Sequence, residues 1–136
     1  MKAWQAVILV VVLGMVGATS ALAQKSANNS AVPKYDFSTE TKFKGTIDSV
    51  VDRQCPISGG MGSHFMLKLS DGTSIEVHLA TTKFVKNYEV AFNKGDEVEV
   101  TGSKVKFEGA DAILAREVKR GNDDFLFRDP QGKPIW

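Results

Sequence analysis

The sequence predicts a small all-β domain, a five-stranded OB-fold barrel with one short helix between strands 3 and 4 and a C-terminal β-hairpin. Three observations lead to this prediction. Apolar and polar residues alternate in several short segments between Lys42 and Trp136. Clusters of glycine, proline and aspartate separate these segments. One segment, residues 81–92, has helical spacing and follows the third predicted strand. A small SH3-like barrel is the alternative.

The first strand is predicted from Lys42, where the stretch FKGTIDS places apolar and small residues on one parity and polar residues on the other. Val50 and Val51 break the alternation, which predicts a bulge or bend before Arg53. The stretch RQCPISGGMGS, residues 53–63, contains one proline and three glycines and therefore predicts a loop.

Residues 63–80, SHFMLKLSDGTSIEVHLA, predict a β-hairpin that contains both histidines of the chain. A two-residue loop at Asp71-Gly72 would place apolar residues opposite polar ones. A three-residue loop that ends at Gly72 removes this conflict, because glycine readily adopts the left-handed conformation that such a loop requires. In that register His64 pairs with His78, and we expect both side chains on the face opposite the core.

The second half of the chain supplies the helix, two longer strands and the terminal hairpin. In TTKFVKNYEVAF apolar residues recur about every four positions, and Thr81 or Thr82 can cap the helix start. Gly102 interrupts an alternating segment and predicts a bend in strand 4. The last twelve residues, FLFRDPQGKPIW, predict a strand, a turn at Pro130–Gly132 and a short return.

The N-terminal residues 1–23 have the features of a secretory signal peptide. Lys2 supplies a positive charge, an apolar run follows, and Ala21-Leu22-Ala23 forms a cleavage site. The run is shorter than the roughly 20 residues of a membrane span, so we expect no stable membrane anchor. Residues 24–41 predict a flexible leader and residues 42–136 the OB-fold domain. The protein is therefore expected to be periplasmic or secreted.

The charge of the domain does not favour nucleic-acid binding. The chain has 17 basic and 16 acidic residues, and removal of Lys2 with the signal peptide leaves 16 of each. Proteins that hold nucleic acid through its phosphates usually carry an excess of basic residues. Binding of an oligonucleotide by strand lysines stays open as an alternative, because OB barrels can combine such lysines with aromatic residues.

Several stretches of the domain resemble small exported bacterial OB-fold proteins of largely unassigned function. They are FKGTIDSVVD, GSHFMLKLSDGTSIEVHLA, FNKGDEVEVTGSKV, AILAREVKRG and FRDPQGKPIW. The resemblance implies a binding or accessory module and no catalytic residues. OB barrels usually bind their ligands on strands 2 and 3 and in the adjoining loops. We also find no nucleophile–base pair in the sequence, so an enzyme is not expected.

The predicted ligand surface is the polar side of the 63–80 hairpin together with the 53–63 loop. Its ligand is an unknown small molecule or a protein partner. The residues of this surface are Arg53, Met61, His64, Met66, Glu76 and His78.

The facing histidines allow a second hypothesis, a periplasmic metal-binding protein. Two imidazoles can hold a transition metal, and a methionine or Cys55 as a further ligand would favour copper. A strong site needs three or four fixed ligands, and the pattern places only His64 and His78. The pair could also be hydrogen-bonded without a metal, or sense pH. Cys55 is the single cysteine, so the chain forms no internal disulfide.

Overall fold

A computed structural model of the chain describes residues 32–89 and 91–136. The predicted signal peptide, and the leader as far as residue 31, lie outside the described residues. Along the described part, a 3₁₀ turn (Phe37–Thr39) is followed by β1 (Glu40–Cys55), β2 (Gly60–Leu69), β3 (Ser74–Thr81), α1 (Thr82–Asn87), β4 (Glu97–Phe107), β5 (Ala110–Arg120) and β6 (Asp123–Leu126).

The strands form one sheet in the order β3-β2-β1-β4-β5-β6. A parallel pairing of β3 with β5, between Glu76–His78 and Ala112–Leu114, closes the first five strands on themselves. Helix α1 lies between β3 and β4 in the chain, and β6 extends the sheet beyond β5. The predicted fold class, an all-β domain with this strand order and one short helix, is confirmed.

Strand β1 differs from the sequence prediction in its bulge and in its length. The register of β1 against β2 shifts between Ile47 and Ser49, ahead of the predicted bend at the two valines. The strand then continues to Cys55, which pairs with Gly60. The predicted 53–63 loop is therefore wrong at both ends, and only residues 56–59 connect the strands. Two of the three glycines that predicted a loop lie in β2 instead, where Gly60 pairs with Cys55 and Gly62 with Arg53, and Gly59 stays in the connection.

The hairpin of β2 and β3 has the predicted register. Leu69 N donates to Thr73 O at 2.8 Å, and Gly72 has a φ of +85° at the end of the loop. His64 pairs with His78, and Met66 pairs with Glu76 on the same side of the strands. The pairing of the two histidines was predicted correctly. The prediction that they lie on an open polar surface was wrong, because both imidazoles are buried.

Two apolar clusters explain this burial. The main core fills the closed sheet and includes Ile47, Phe65, Leu67, Val77, Val100, Ile113, Val118 and Phe127. A smaller cluster of Cys55, Phe107 and Ala112, with Ile57 and Val105 against it, lies beside the β1–β2 and β4–β5 connections. The smaller cluster thus covers the histidine end of the hairpin, where Phe107 contacts His78, while Lys68 farther along the same face is exposed.

Close packing of β4 on β5 depends on Gly102. The register shifts between Thr101 and Gly102, at the bend that the sequence predicted. A Cβ atom at Gly102 would lie 2.5 Å from Leu114 O, so only glycine permits this approach.

The helix is shorter than its sequence pattern, because it ends at Asn87. Thr81 caps it, as one of the two predicted threonines, with Oγ1 accepting from Phe84 N at 3.3 Å. Across the described ranges, 32–89 and 91–136, no helix is both long and apolar enough to cross a membrane.

Residues ahead of the predicted domain start at Lys42 already contact the sheet. Asp36 N donates to Ser103 Oγ at 3.0 Å, and two nitrogen atoms of Arg116 donate to the Glu40 carboxylate at 2.9 Å each. Part of the predicted leader therefore packs against the domain. The predicted C-terminal turn is present as well, since Asp129 N donates to Lys133 O at 2.8 Å.

Candidate metal site

Three buried side chains meet beside the smaller cluster, one from each of three adjacent strands. Cys55 ends β1, His64 lies in β2 and His78 lies opposite it in β3. Their exposed fractions are 3%, 2% and 4%, respectively. One potential ligand atom from each lies within 4.8 Å of the other two. The continuation of β1 through Arg53 brings the cysteine to this place.

The sulfur and the two imidazoles contact one another directly. Cys55 Sγ is 3.6 Å from His78 Nδ1. The ring centroids of His64 and His78 are 4.5 Å apart with an interplanar angle of 86°. The ring of Phe107 also contacts His78 edge-on, with the two ring centroids 5.3 Å apart. These contacts restrict the rotation of His78.

Each histidine has an oxygen atom close to one ring nitrogen, a backbone carbonyl for His64 and a carboxylate for His78. His64 Nδ1 is 3.3 Å from Val51 O, and donation to this carbonyl leaves Nε2 free as a ligand. His78 Nε2 is 3.3 Å from Glu76 Oε1, at an angle outside that of a hydrogen bond. Arg53 Nη2 holds the same carboxylate oxygen at 2.6 Å. Metal-binding histidines commonly have such carbonyl and carboxylate partners, which orient the ring.

The burial of the two imidazoles favours their neutral forms. Burial lowers the pKa of His64 below its usual value. Burial, together with the nearby charge of His64, lowers the pKa of His78 to about 4. Both rings are therefore uncharged at neutral pH, as a metal ligand must be.

All the residues described so far in this site lie within residues 39–125, the segment that matches the model of the MamS/MamX magnetosome protein family. The chain belongs to this family. The membership agrees with the resemblance to small bacterial proteins at that coarser level. No curated protein matches the chain.

The structure of this MamS/MamX family member brings together most of the ligand surface predicted from the sequence. Arg53 and Glu76 form the ion pair described above, and the Glu76 carboxylate lies next to His78. Met66 is half-buried and lines a cavity of about 110 Å³ together with Arg53, His64 and Glu76. Met61 is 45% exposed and pairs with Gln54, away from the three donors.

Cys55 is a fixed member of the site, whereas the sequence pattern placed only the two histidines there. Its sulfur, His78 and Glu76 follow one another in the order of a nucleophile, a base and an orienting acid, which the sequence did not show. However, the thiol is buried, and it does not line the adjacent 110 Å³ cavity.

Four strand lysines could bind nucleic acid, and three of them, Lys44, Lys104 and Lys106, have acidic neighbours, whereas Lys68 has none within 4.0 Å in the described part of the chain. Lys44 Nζ is 3.5 Å from Glu99, and Lys106 Nζ is 2.6 Å from Asp111. A wide groove of about 960 Å³ lies elsewhere and mixes lysines with acidic residues. None of the six predicted ligand residues lines this groove, so it does not extend the candidate site.

Proposed function

We propose that this chain is a magnetosome-associated, non-enzymatic accessory protein that binds one transition-metal ion through Cys55, His64 and His78. The observation that carries the proposal is the convergence of three buried donors, from three adjacent strands, within 4.8 Å. The family membership supports the magnetosome association and the accessory role, while the donor geometry supports the metal.

The distances suit a metal ion. Metal–sulfur bonds of about 2.3 Å and metal–nitrogen bonds of about 2.0–2.1 Å require donor separations of roughly 3.3–4 Å. The 3.6 Å between Cys55 Sγ and His78 Nδ1 already lies in this range. The widest separation, up to 4.8 Å, closes with a side-chain shift of roughly 1 Å. The backbone register of the three strands can therefore stay as it is.

The donor set favours copper. One thiolate with two imidazoles is the trigonal set of blue-copper sites, in which a methionine is a weak further ligand. Structural zinc sites usually have four protein ligands, and only three are placed here. Met66 is the nearest methionine candidate, because it lines the cavity that His64 also lines. Copper is thus the first ion to test.

The position in the fold also suits a binding site. The three donors lie near the β1–β2 and β4–β5 connections and on β2 and β3, where OB barrels usually bind ligands. A small organic ligand or a protein partner on the same surface is the broader alternative, and it needs no metal. Oligonucleotide binding has less support, because three of the four strand lysines lie next to carboxylates.

A metal titration of the full chain tests the proposal. We expect the reduced protein to bind one Cu(I), and Co(II) to produce a sulfur-to-metal charge-transfer band as it binds. The imidazole NMR signals of His64 and His78 should shift together with that binding. Zn(II) should compete with Co(II) but bind more weakly than Cu(I). If neither ion binds stoichiometrically, or if the band appears while the imidazole signals stay unchanged, the proposal is wrong.

The carboxylate of Glu76, next to His78, gives a second prediction. Glu76→Gln should lower the Cu(I) affinity about 10–100-fold, because it removes the negative charge next to the imidazole. The carboxylate also pairs with Arg53, so a folding check by circular dichroism accompanies the competition assay. Glu97→Gln, the same change at an exposed position of β4, is the matched control and should leave the affinity unchanged. Equal affinities for both variants would mean that Glu76 does not support the metal.

A further inference from the structure

A second polar site lies next to the histidines, around Arg128. This arginine is only 8% exposed, although guanidinium groups are rarely buried without a carboxylate. Its Nη1 donates to Gly132 O at 2.9 Å, and its Cζ lies 5.5 Å from the Tyr35 ring and 5.8 Å from the Trp136 ring. Within residues 32–89 and 91–136, no carboxylate oxygen lies within 4.0 Å of Arg128. The contacts of its positive charge are therefore two aromatic rings and one backbone carbonyl.

Unpartnered hydrogen-bond donors converge on the same place. Arg128 Nε and Trp136 Nε1 are buried and have no hydrogen-bond partner, and the same holds for His78 Nε2. All three residues line one small, partly open cavity of about 10 Å³, which His64 also lines. Such a volume holds about one water-sized particle. Arginine and the tryptophan nitrogen can only donate hydrogen bonds, so the particle must accept them.

We propose that this cavity binds one small anion of halide size, held by Arg128 Nε and Trp136 Nε1. A water molecule could satisfy the two donors, but it would leave the buried guanidinium without a counter-charge. An unpaired buried charge is costly, and a monoatomic anion compensates the charge and accepts both hydrogen bonds at once. The small volume of about 10 Å³ favours a monoatomic anion over a carboxylate or phosphate group. The site lies beyond the metal proposal, and Arg128 and Trp136 also lie beyond the family match.

The anion would also influence the metal site, because His64 and His78 line the cavity. A cation bound by the imidazoles and an anion beside them attract each other. Each should therefore raise the affinity of the other by the same factor, which we expect to be about 5-fold or more.

The test uses the chain from Gln24 to Trp136, without the predicted signal peptide, ¹⁵N-labelled and free of metal, so that its result does not depend on the metal proposal. Sodium chloride replaces sodium gluconate at constant ionic strength, and the Trp136 indole N–H signal is followed. Trp136 is the only tryptophan after the predicted cleavage site, so its indole signal is assigned directly. We expect a saturable shift of the Trp136 signal with chloride and none with gluconate.

Two variants complete the test, with chloride-dependent thermal stability as their readout. Trp136→Phe keeps a ring next to Arg128 but removes the N–H, and it should weaken chloride binding at least about 5-fold, as expected for the loss of a hydrogen bond to a charged group. Arg128→Gln should abolish it. If Arg128→Gln does not fold, Trp136→Phe decides. An indole shift that does not saturate, or a stabilisation by chloride that Trp136→Phe retains in full, would show that the cavity holds water only.

Discussion

Replacing Cys55 by serine should lower the Cu(I) affinity by more than the roughly 10–100-fold expected for the loss of a residue that orients a ligand without binding the metal itself. Serine has nearly the same size, so the buried position beside Phe107 and Ala112 can accept it. Its hydroxyl is a poor ligand for Cu(I), which prefers soft thiolate and thioether donors. The affinity is measured by competition with a chromophoric copper chelator, and the Co(II) charge-transfer band should be absent from the variant.

Met61→Leu is the control for this experiment. It removes an exposed sulfur at the start of β2, which adventitious copper could use, and it should change neither the affinity nor the band. If Cys55→Ser binds Cu(I) as tightly as the natural chain, the thiolate is not a ligand. The histidine pair alone would then have to account for any copper that binds.

Phe127→Ala should reduce the free energy of unfolding by about 3–5 kcal/mol. Phe127 has 0% exposure, and its ring centroid lies 6.3 Å from that of Phe84 and 6.0 Å from that of Tyr88. The change would leave a cavity between the helix and the C-terminal segment, because β-sheet neighbours cannot close over it. Urea unfolding followed by circular dichroism measures the effect.

Phe37→Ala is the matched control, since it makes the same change at a position that is 48% exposed. Phe37 contacts only the edge of the Tyr35 ring among aromatic partners in the described residues, at 5.1 Å, so its loss should cost about 1 kcal/mol or less. Similar losses for the two variants would mean that Phe127 does not belong to the cooperative core.

The register of the hairpin was predictable from the local sequence pattern. The alternation on both sides of Asp71 and Gly72 is compatible with only one loop length, and this was enough to pair His64 with His78. The helix start at Thr81 and the bend at Gly102 were predictable for the same reason. Each depends on residues that are close in sequence, whose spacing and backbone preferences are visible in the sequence itself.

The β1–β2 connection shows where local pattern fails. Pro56 and three glycines between residues 53 and 63 are typical of a loop, and most of this segment is nevertheless strand. Pairing across the two strands satisfies the backbone groups, and that gain outweighs the weak strand preference of glycine. As a result Cys55 occupies a fixed place next to His78 rather than a flexible loop. No local signal marks this difference.

The sequence by itself determined the strand periodicity, the strand order through the position of the helix, and the cross-strand histidine pair. Only the tertiary structure decided that this pair is buried, that Cys55 joins it, and that Arg128 and Trp136 line a cavity beside it. The reason is that side-chain alternation tells two faces of a strand apart but does not say what covers each face. That depends on strands brought together by closure of the sheet, here by the pairing of β3 with β5.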